Sequence, residues 1–393
     1  MLSQIVAVTG VNLRSIGQRI GSSSVAIVGI AGVVLVFVGV LSIAEGFKAA
    51  MTDVGDRQTV IVMRAGSDTE MTSGLGNETT RIVMDKPGIM RDENGPLASP
   101  ELFVIVGHPS KKDATDLNVP LRGVSPAALK VRPYIKIIEG RMLTPGTNEI
   151  VVGRAASGQF EGLTVGSVQN WGQNRWEVVG IFDAGGNVAE SEIWCDARVL
   201  QPAYRRGNTY QSVYVRLESP EAFQTFKDAL TTDPRLSVTP VPEPDYYAGQ
   251  SEMLHQIITT IGYLIAALMG IGAIFGAVNT MYTAVASRTR EIATLRALGF
   301  GSFPVVFSVL SESLVLALAG GLLGGVVAWL AFDGYQTSTM NFQSFSQVTF
   351  AFAVTPMLLT QALIFAIVMG FFGGLFPAWR AARLPVVTAL REL

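Results

Sequence analysis

Along the 393 residues, hydrophobic positions gather into long charge-free runs at both ends and into short alternating runs in between. Four of the long runs compare with the about 20 apolar residues that cross a hydrocarbon core as a helix. The first, GSSSVAIVGIAGVVLVFVGVLSIA, lies between Arg19 and Glu45, and the second, QIITTIGYLIAALMGIGAIFGAVNTMYTAVAS, lies between His255 and Arg288. The third, VVFSVLSESLVLALAGGLLGGVVAWLAF, follows Pro304 and carries a single charge, Glu312; the fourth runs from about Ala353 to Trp379. Transmembrane helices are thus predicted at 21–45, 256–287, 303–332 and 353–379, with a short helix at 288–302, a loop at 333–352 and a tail at 380–393. Before the first span, Ile5, Val8, Val11, Ile16 and Ile20 recur near helical spacing, which predicts an interfacial helix over 1–20.

Between the first two spans the period shortens to two. QTVIVMRAG (58–66) and ELFVIVGHP (101–109) read as strands around a polar loop, GSDTEMTSGLGN. From Val119 the strand-like pieces VPLRGVS, YIKIIEG, NEIVVG, SVQNWG, RWEVVGIFDA and SEIWCDA are punctuated by Gly, Pro and Asn. A βαβ unit follows: YQSVYVRLE, a helix in PEAFQTFKDALTTDP with Ser219 as cap and Pro220 in its first turn, and RLSVTPVPEP. The inserted block, 46–255, is therefore expected to hold a βαβ-like base (about 46–119 and 206–250) and a β-rich cap (about 120–205).

Charge fixes the expected orientation. Apolar residues make up 49% of the chain and charged ones 15%, well under the roughly 25% of soluble domains. The short flanks carry Arg14 and Arg19, then Arg288, Arg290 and Arg296, then Arg380, Arg383 and Arg391, while 333–352 has neither Lys nor Arg. By the positive-inside rule both termini are expected in the cytoplasm and 46–255 across the membrane. The predicted fold class is an α-helical membrane protein with four transmembrane helices plus an α+β extracytoplasmic domain inserted between the first and second spans. Ser42-Ile43-Ala44 has the form of a signal-peptide cleavage site, but the apolar run before it exceeds an h-region of about 7–15 residues, so a retained span is expected. With 29 basic against 31 acidic residues, net charge argues neither for nor against nucleic acid, and no such partner is expected.

Candidate chemistry is sparse. The lone Cys195 excludes an intrachain disulfide and suits a buried apolar role; His108 and His255 do not form a pair at metal-ligand spacing, and no metal site is expected. No hydrolytic signature occurs, and Asp92 and Glu93 sit in loop-like sequence. A P-loop would need G-x-x-x-x-G-K-[ST], yet the last lysine is Lys227, and Gly320, Gly321, Gly324 and Gly325 lie inside an apolar span. No catalytic residue and no cofactor are expected in this chain; work driven by ATP would need an ATPase elsewhere.

The segment SRTREIATLRALGFGSFP places charges between two hydrophobic walls. Arg288, Arg290 and Glu291 are followed by Ile292, Leu295 and Gly299 at i, i+3, i+7, a small apolar ridge on a charged helix that suits a partner's groove. The same residues also suit a solvated positive-inside flank. Glu312 would cost about 3 kcal/mol at the bilayer centre; it reads as a partner for an arginine of the basic belt, as a boundary charge, or as a proton relay. Small-residue pairs at Gly272 and Gly276, Gly320 and Gly324, Gly321 and Gly325, and Gly370 and Gly374 let helices approach closely, within one chain or between copies.

The order SRTREIATLRALG, SESLVLALAGGLLGG, FPAWRAARLPVVTALREL resembles the permease subunits of the MacB/FtsX group of ABC transporters, including the lipoprotein-releasing permeases. In that family the segment matched by Arg288, Arg290, Glu291, Ile292, Thr294, Leu295, Arg296, Leu298 and Gly299 engages the ATPase. Glu312 and the pattern from Pro377 to Arg391 recur there as well. The resemblance implies a non-catalytic permease or mechanotransmission subunit of a bacterial cytoplasmic membrane, with ATP and Mg bound by a partner ABC ATPase. It also implies a second permease copy or paralogue as dimer partner, and allows a periplasmic membrane-fusion protein. Cargo of such machines would be lipoprotein, lipid, peptide or drug; the alternative is an FtsX-like regulator of a cell-wall hydrolase.

Overall fold

Long apolar runs become long helices, because a helix satisfies every backbone group internally where no water can. A computed structural model describes residues 5, 8–10, 20–53, 55–383 and 385. Five helices matter here: α1 (Ile20–Thr52), α2 (Glu243–Ser287), α3 (Thr289–Ala297), α4 (Ser302–Phe332) and α5 (Pro356–Ala382). All but α3 are long and apolar enough to cross a membrane. Thr355 caps α5 by accepting a hydrogen bond from the Leu358 amide at 3.2 Å, and Pro356 fills the first position, where no amide is needed.

The chain divides into two compact units: Met1–Glu45, Gln256–Tyr335 and Phe352–Leu393, and Gly46–His255 with Gln336–Ala351. In the helical unit, glycines set the distance between helices. A methyl on Gly320 would lie 2.8 Å from the Ile27 carbonyl, and one on Gly324 2.5 Å from that of Ala31, so α4 meets the backbone of α1 directly. Gly321 faces Ala366, Gly325 faces Leu359, Gly370 faces Ala317 and Gly374 faces Ser313, which joins α4 to α5. Ser313 Oγ donates to the Gly370 carbonyl at 2.7 Å across that contact. Close approach with a polar tie replaces the hydrophobic drive that lipid cannot supply. Gly272 and Gly276 differ: nothing stands within 4 Å of a methyl added to either.

The other unit is built on β1 (Thr59–Arg64), β2 (Ala98–Pro109), β3 (Asp116–Val124), β4 (Lys136–Gly140), β5 (Glu149–Gly153), β6 (Val168–Trp171), β7 (Asn174–Asp183), β8 (Ile193–Asp196), β9 (Ser212–Arg216), β10 (Val238–Pro242), β11 (Gln336–Asn341) and β12 (Ser346–Ala351). The main sheet runs β10-β1-β9-β2-β3-β8-β5-β7-β4, with β6 added to β7. Because β1 pairs antiparallel with both β9 and β10, and β9 antiparallel with β2, the base is two interleaved split βαβ units, closed by helices Asn77–Met84 and Ala222–Thr231. Val60, Val62, Val83, Val213, Val215, Phe226 and Leu230 are their shared core. A second core, with Leu102, Leu121, Trp176, Ile193 and Cys195, belongs to the cap.

Several expectations need correcting. The boundary between base and cap falls inside β2, not near residue 120: Ala98–Glu101 pair with β9, and Leu102–Pro109 pair with β3. A strand of 12 residues is long enough to serve both halves of the main sheet. The second apolar helix starts at Glu243 rather than 256, so its 45 residues measure about 67 Å, more than twice a hydrocarbon core. Residues 243–255 group with the sheet unit. The expected loop 333–352 contains a hairpin, β11–β12, that also groups with the sheet unit. Ser219 does not cap its helix by a side chain; its carbonyl accepts the Ala222 amide at 3.2 Å in a preceding turn. The expected helix over 1–20 and the tail beyond Arg383 lie almost wholly outside the described residues.

Candidate functional site

Arg288 leaves helical geometry at φ −113°, ψ 10°, which ends α2 and turns the chain into α3. At the other end Gly299 takes φ 95°, a left-handed position that glycine alone adopts without strain. There the Gly299 amide donates to the Arg296 carbonyl and the Phe300 amide to that of Leu295, both at 3.1 Å, a Schellman closure. Glu291 in the first turn and Arg296 in the last complement the helix dipole. The result is a short helix with defined ends between two long ones.

Its two faces differ. Ile292 and Ala293 are buried, Ile292 in a cluster with Met281, Val285, Val305 and Val309. Arg288 is also buried: its Nη1 donates to Glu312 Oε2 at 3.0 Å and its Nη2 to Oε1 at 3.1 Å. This two-point geometry is what a planar guanidinium offers a carboxylate and an ammonium does not. Glu312 on α4 thereby holds the start of α3. The outward face carries Arg290, Glu291, Thr294, Ala297, Leu298 and Gly299; Leu298 is 73% exposed, and Leu295 and Arg296 are half-buried. The expected ridge of Ile292, Leu295 and Gly299 is therefore not the outward one, because Ile292 is drawn into the helical core. The outward row is Glu291, Thr294 and Leu298, again at i, i+3, i+7. Arg288 likewise faces inward and is unavailable to a partner.

Of the other residues singled out, Gly320, Gly321, Gly324, Gly325, Gly370 and Gly374 lie at helix contacts inside the chain, and Gly272 and Gly276 lie on an open face of α2. Cys195 is buried, its Sγ 3.6 Å from the Arg122 carbonyl. His108 packs on the Phe160 and Trp171 rings. No group of three His, Cys, Asp or Glu suited to a metal occurs among the described residues.

A second constellation was not singled out from the sequence. In the sheet unit Arg122 bonds Glu70 at 2.8 Å, Glu192 at 2.7 Å and Glu101 at 3.1 Å; Arg132 bonds Glu101; all five are buried. Both guanidiniums also stack on rings, Arg122 on Phe103 and Tyr214, Arg132 on Trp194 and Tyr214. Burial works against ionisation of Glu70, yet Arg122 outweighs it and holds that carboxyl below its ordinary range. For Glu101 burial prevails over Arg132 and Arg122, and its carboxyl is raised. The available signal was a lone charge next to or within apolar strand runs: Glu101 before LFVIV, Arg122 in VPLRGV, Glu192 before IWC.

Comparison with known proteins adds family information. Residues 23–233 match the model of the MacB-like periplasmic core domain, and residues 263–386 that of the FtsX-like permease C-terminal region. The chain is 24% identical over 414 residues to the ABC transporter permease YvrN of Bacillus subtilis (strain 168), covering 96% of each. It is 30% identical over 242 residues to the macrolide export ATP-binding/permease protein MacB of Chlorobium luteolum, covering 55% of this chain and 33% of that protein. The chain spans less than half the length of the MacB relatives it matches. Among solved structures it is similar to the extracellular domain of the noncanonic ABC-type transporter YknZ from Gram-positive bacteria: TM-score 0.36, 17% identity, 47% of this chain and 99% of that one. The periplasmic region of MacB from Actinobacillus actinomycetemcomitans gives TM-score 0.37 and 12% identity over 51% of this chain and 92% of that one.

Proposed function

Because the chain belongs to the MacB-like, FtsX-like permease family of ABC transporters, we propose that it is a non-catalytic subunit transmitting motion from a partner ATPase to its extracytoplasmic domain. ATP and Mg are held by that partner, and α3 is the element it grips. The observation that carries this reading is the division of α3 into an anchored face and an open one. Arg288 and Ile292 fix the helix to its neighbours, and Arg290, Glu291, Thr294 and Leu298 stand outward. A helix that was loosely tethered would absorb a push; one bonded at two points to Glu312 passes it to α4.

In this reading α3 and both termini are cytoplasmic, as the basic flanks require, and the membrane is a bacterial inner membrane. Two permease copies, identical or paralogous, work with two ATPase copies; the open face at Gly272 and Gly276 supports a close helix contact between them. Substrate is exported or extracted by movement of the sheet unit, its class being lipoprotein, lipid, peptide or drug; a periplasmic membrane-fusion protein is a further candidate partner. The match of 23–233 to a periplasmic core domain supports transport over regulation of a cell-wall hydrolase.

The test is a crosslink. Thr294→Cys, with the buried Cys195 left in place, is expected to form an ATP-dependent crosslink to a copurifying ATPase, and Leu298→Glu to abolish it. A chain that purifies from its native membrane with no ATPase, or a crosslink indifferent to Leu298→Glu, would refute the reading.

A further inference from the structure

Four carboxylates of the sheet unit, Glu70, Glu101, Glu192 and Glu243, are buried around two guanidiniums, Arg122 and Arg132. Glu70 and Glu192 share Arg122, and Glu101 takes Arg132. Among the described residues, Glu243 has no ion-pair partner. Its Oε1 accepts a hydrogen bond from the Tyr134 hydroxyl at 2.9 Å, and its Oε2 accepts none from any described group. That oxygen lies against Gly55, whose left-handed backbone, φ 61°, brings no side chain into the space.

The elements around Glu243 face it as follows. Tyr134 from the segment before β4 and Gly55 from the turn after α1 touch it, and Arg132 of the same segment, Glu101 of β2, Arg122 of β3 and Tyr247 of α2 act on it by charge. Asp245 in the same first turn of α2 pairs with Arg57 at 2.9 Å, but both are exposed and solvated. Four ionised carboxylates against two guanidiniums cannot stay buried without large cost; a proton on Glu243 is the least costly remedy. Glu243 opens α2, where the helix dipole would favour a negative charge. Burial nevertheless dominates and, helped by Glu101 against Arg132 and Tyr134, raises this carboxyl to about 7.

We propose that Glu243, buried between Tyr134 and Gly55 with one oxygen unbonded by any described group, is a proton-operated latch that fastens the first turn of α2 to the base and cap while neutral and frees it when ionised. The latch is a property of the sheet unit and does not rest on the reading of α3. Its sign follows from linkage: the folded carboxyl titrates above its ordinary value of 4.5, so its contribution is complete below that value and is lost as pH rises through about 7.

The test uses the full chain in lipid nanodiscs, with hydrogen exchange corrected for the intrinsic pH dependence and read over 243–250. From pH 6 to pH 8 the wild type is expected to lose about tenfold in protection, because opening releases a proton from a carboxyl that titrates at 4.5 when freed and about 7 when latched, and the loss levels off above that value. Glu243→Gln is expected to keep the pH 6 protection at both values. Tyr134→Phe, which removes a hydrogen bond that favours the ionised form, is expected to move the wild-type midpoint to higher pH. Wild-type protection independent of pH, or a Glu243→Gln chain that loses protection as the wild type does, would overturn the latch. Should Glu243→Gln fail to fold, an unmoved midpoint in Tyr134→Phe overturns it instead.

Discussion

Arg288 and Glu312 in the helical unit form a two-point pair, whereas Arg122 and Arg132 in the sheet unit face four buried carboxylates. The first arrangement joins α3 to α4, one guanidinium reaching both oxygens of one carboxylate. The second gathers residues from β2, β3, the segment before β4, the residue before β8, the turn between β1 and β2 and the start of α2, and its surplus of negative charge makes it answer to protons. A two-point pair suits a fixed joint, and an unbalanced cluster suits a joint that opens.

The comparison is broken most severely at Arg122. Arg122→Met removes the cation from Glu70 and Glu192 and the 3.1 Å contact to Glu101, while a methionine still fills the space between Phe103 and Tyr214. Removing one partner of a buried pair costs about 3–5 kcal/mol, and here more than one carboxylate is orphaned. The sheet unit is expected to lose most of its stability. Cys195 reports it, because it is the single cysteine and sits in the cap core. A thiol-reactive dye should label the variant at a temperature where the wild type is protected. Wild-type labelling kinetics in the variant would show that the cluster is not the keystone of the unit.

Next in size is the helical pair. Arg288→Met removes both hydrogen bonds to Glu312, and the loss is expected to be about 3 kcal/mol. The double variant Arg288→Met with Glu312→Leu is expected to recover most of it, since apolar replacement of a whole buried pair is often neutral. Far-UV circular dichroism of the helices during heating in detergent checks both. A double variant no more stable than the single would mean that the pair stabilises the chain beyond what packing can replace.

How much of this was legible follows from distance along the chain. The four spans and the inserted α+β domain could be read because each is written in a contiguous run: apolar for a helix, alternating for a strand. Arg288 and Glu312 are 24 positions apart, and the sequence could limit Glu312 to an arginine, a boundary or a relay, from which the fold selects Arg288. Arg122 and its partners Glu70 and Glu192 are 52 and 70 positions apart, and nothing local ties them together. The order of the strands was hidden for the same reason. β2 looks like one strand and pairs with β9 along its first part and β3 along the rest, which no pattern within Ala98–Pro109 announces. The direction of α3 was misread because apolar spacing marks a ridge without saying which neighbour covers it; Ile292 faces its own chain and Leu298 faces out.

The smallest effects separate the glycines, and they sharpen the contrast between joints within the chain and faces left open. A methyl at Gly370 would overlap the Ala317 side chain, and α4 and α5 would have to part to admit it. Gly370→Ala is therefore expected to cost about 1–3 kcal/mol, as overpacking does. A methyl at Gly276 meets nothing within 4 Å, and alanine is the better helix former by about 1 kcal/mol. Gly276→Ala should then be neutral or slightly stabilising in thermal unfolding of a single chain in detergent. If instead it destabilises as much as Gly370→Ala, something occupies that face in the purified protein. The mass of the detergent-solubilised particle then decides the occupant: a mass of two chains that falls to one in Gly276→Ala identifies a second copy, and an unchanged single-chain mass returns the cost to the helix itself.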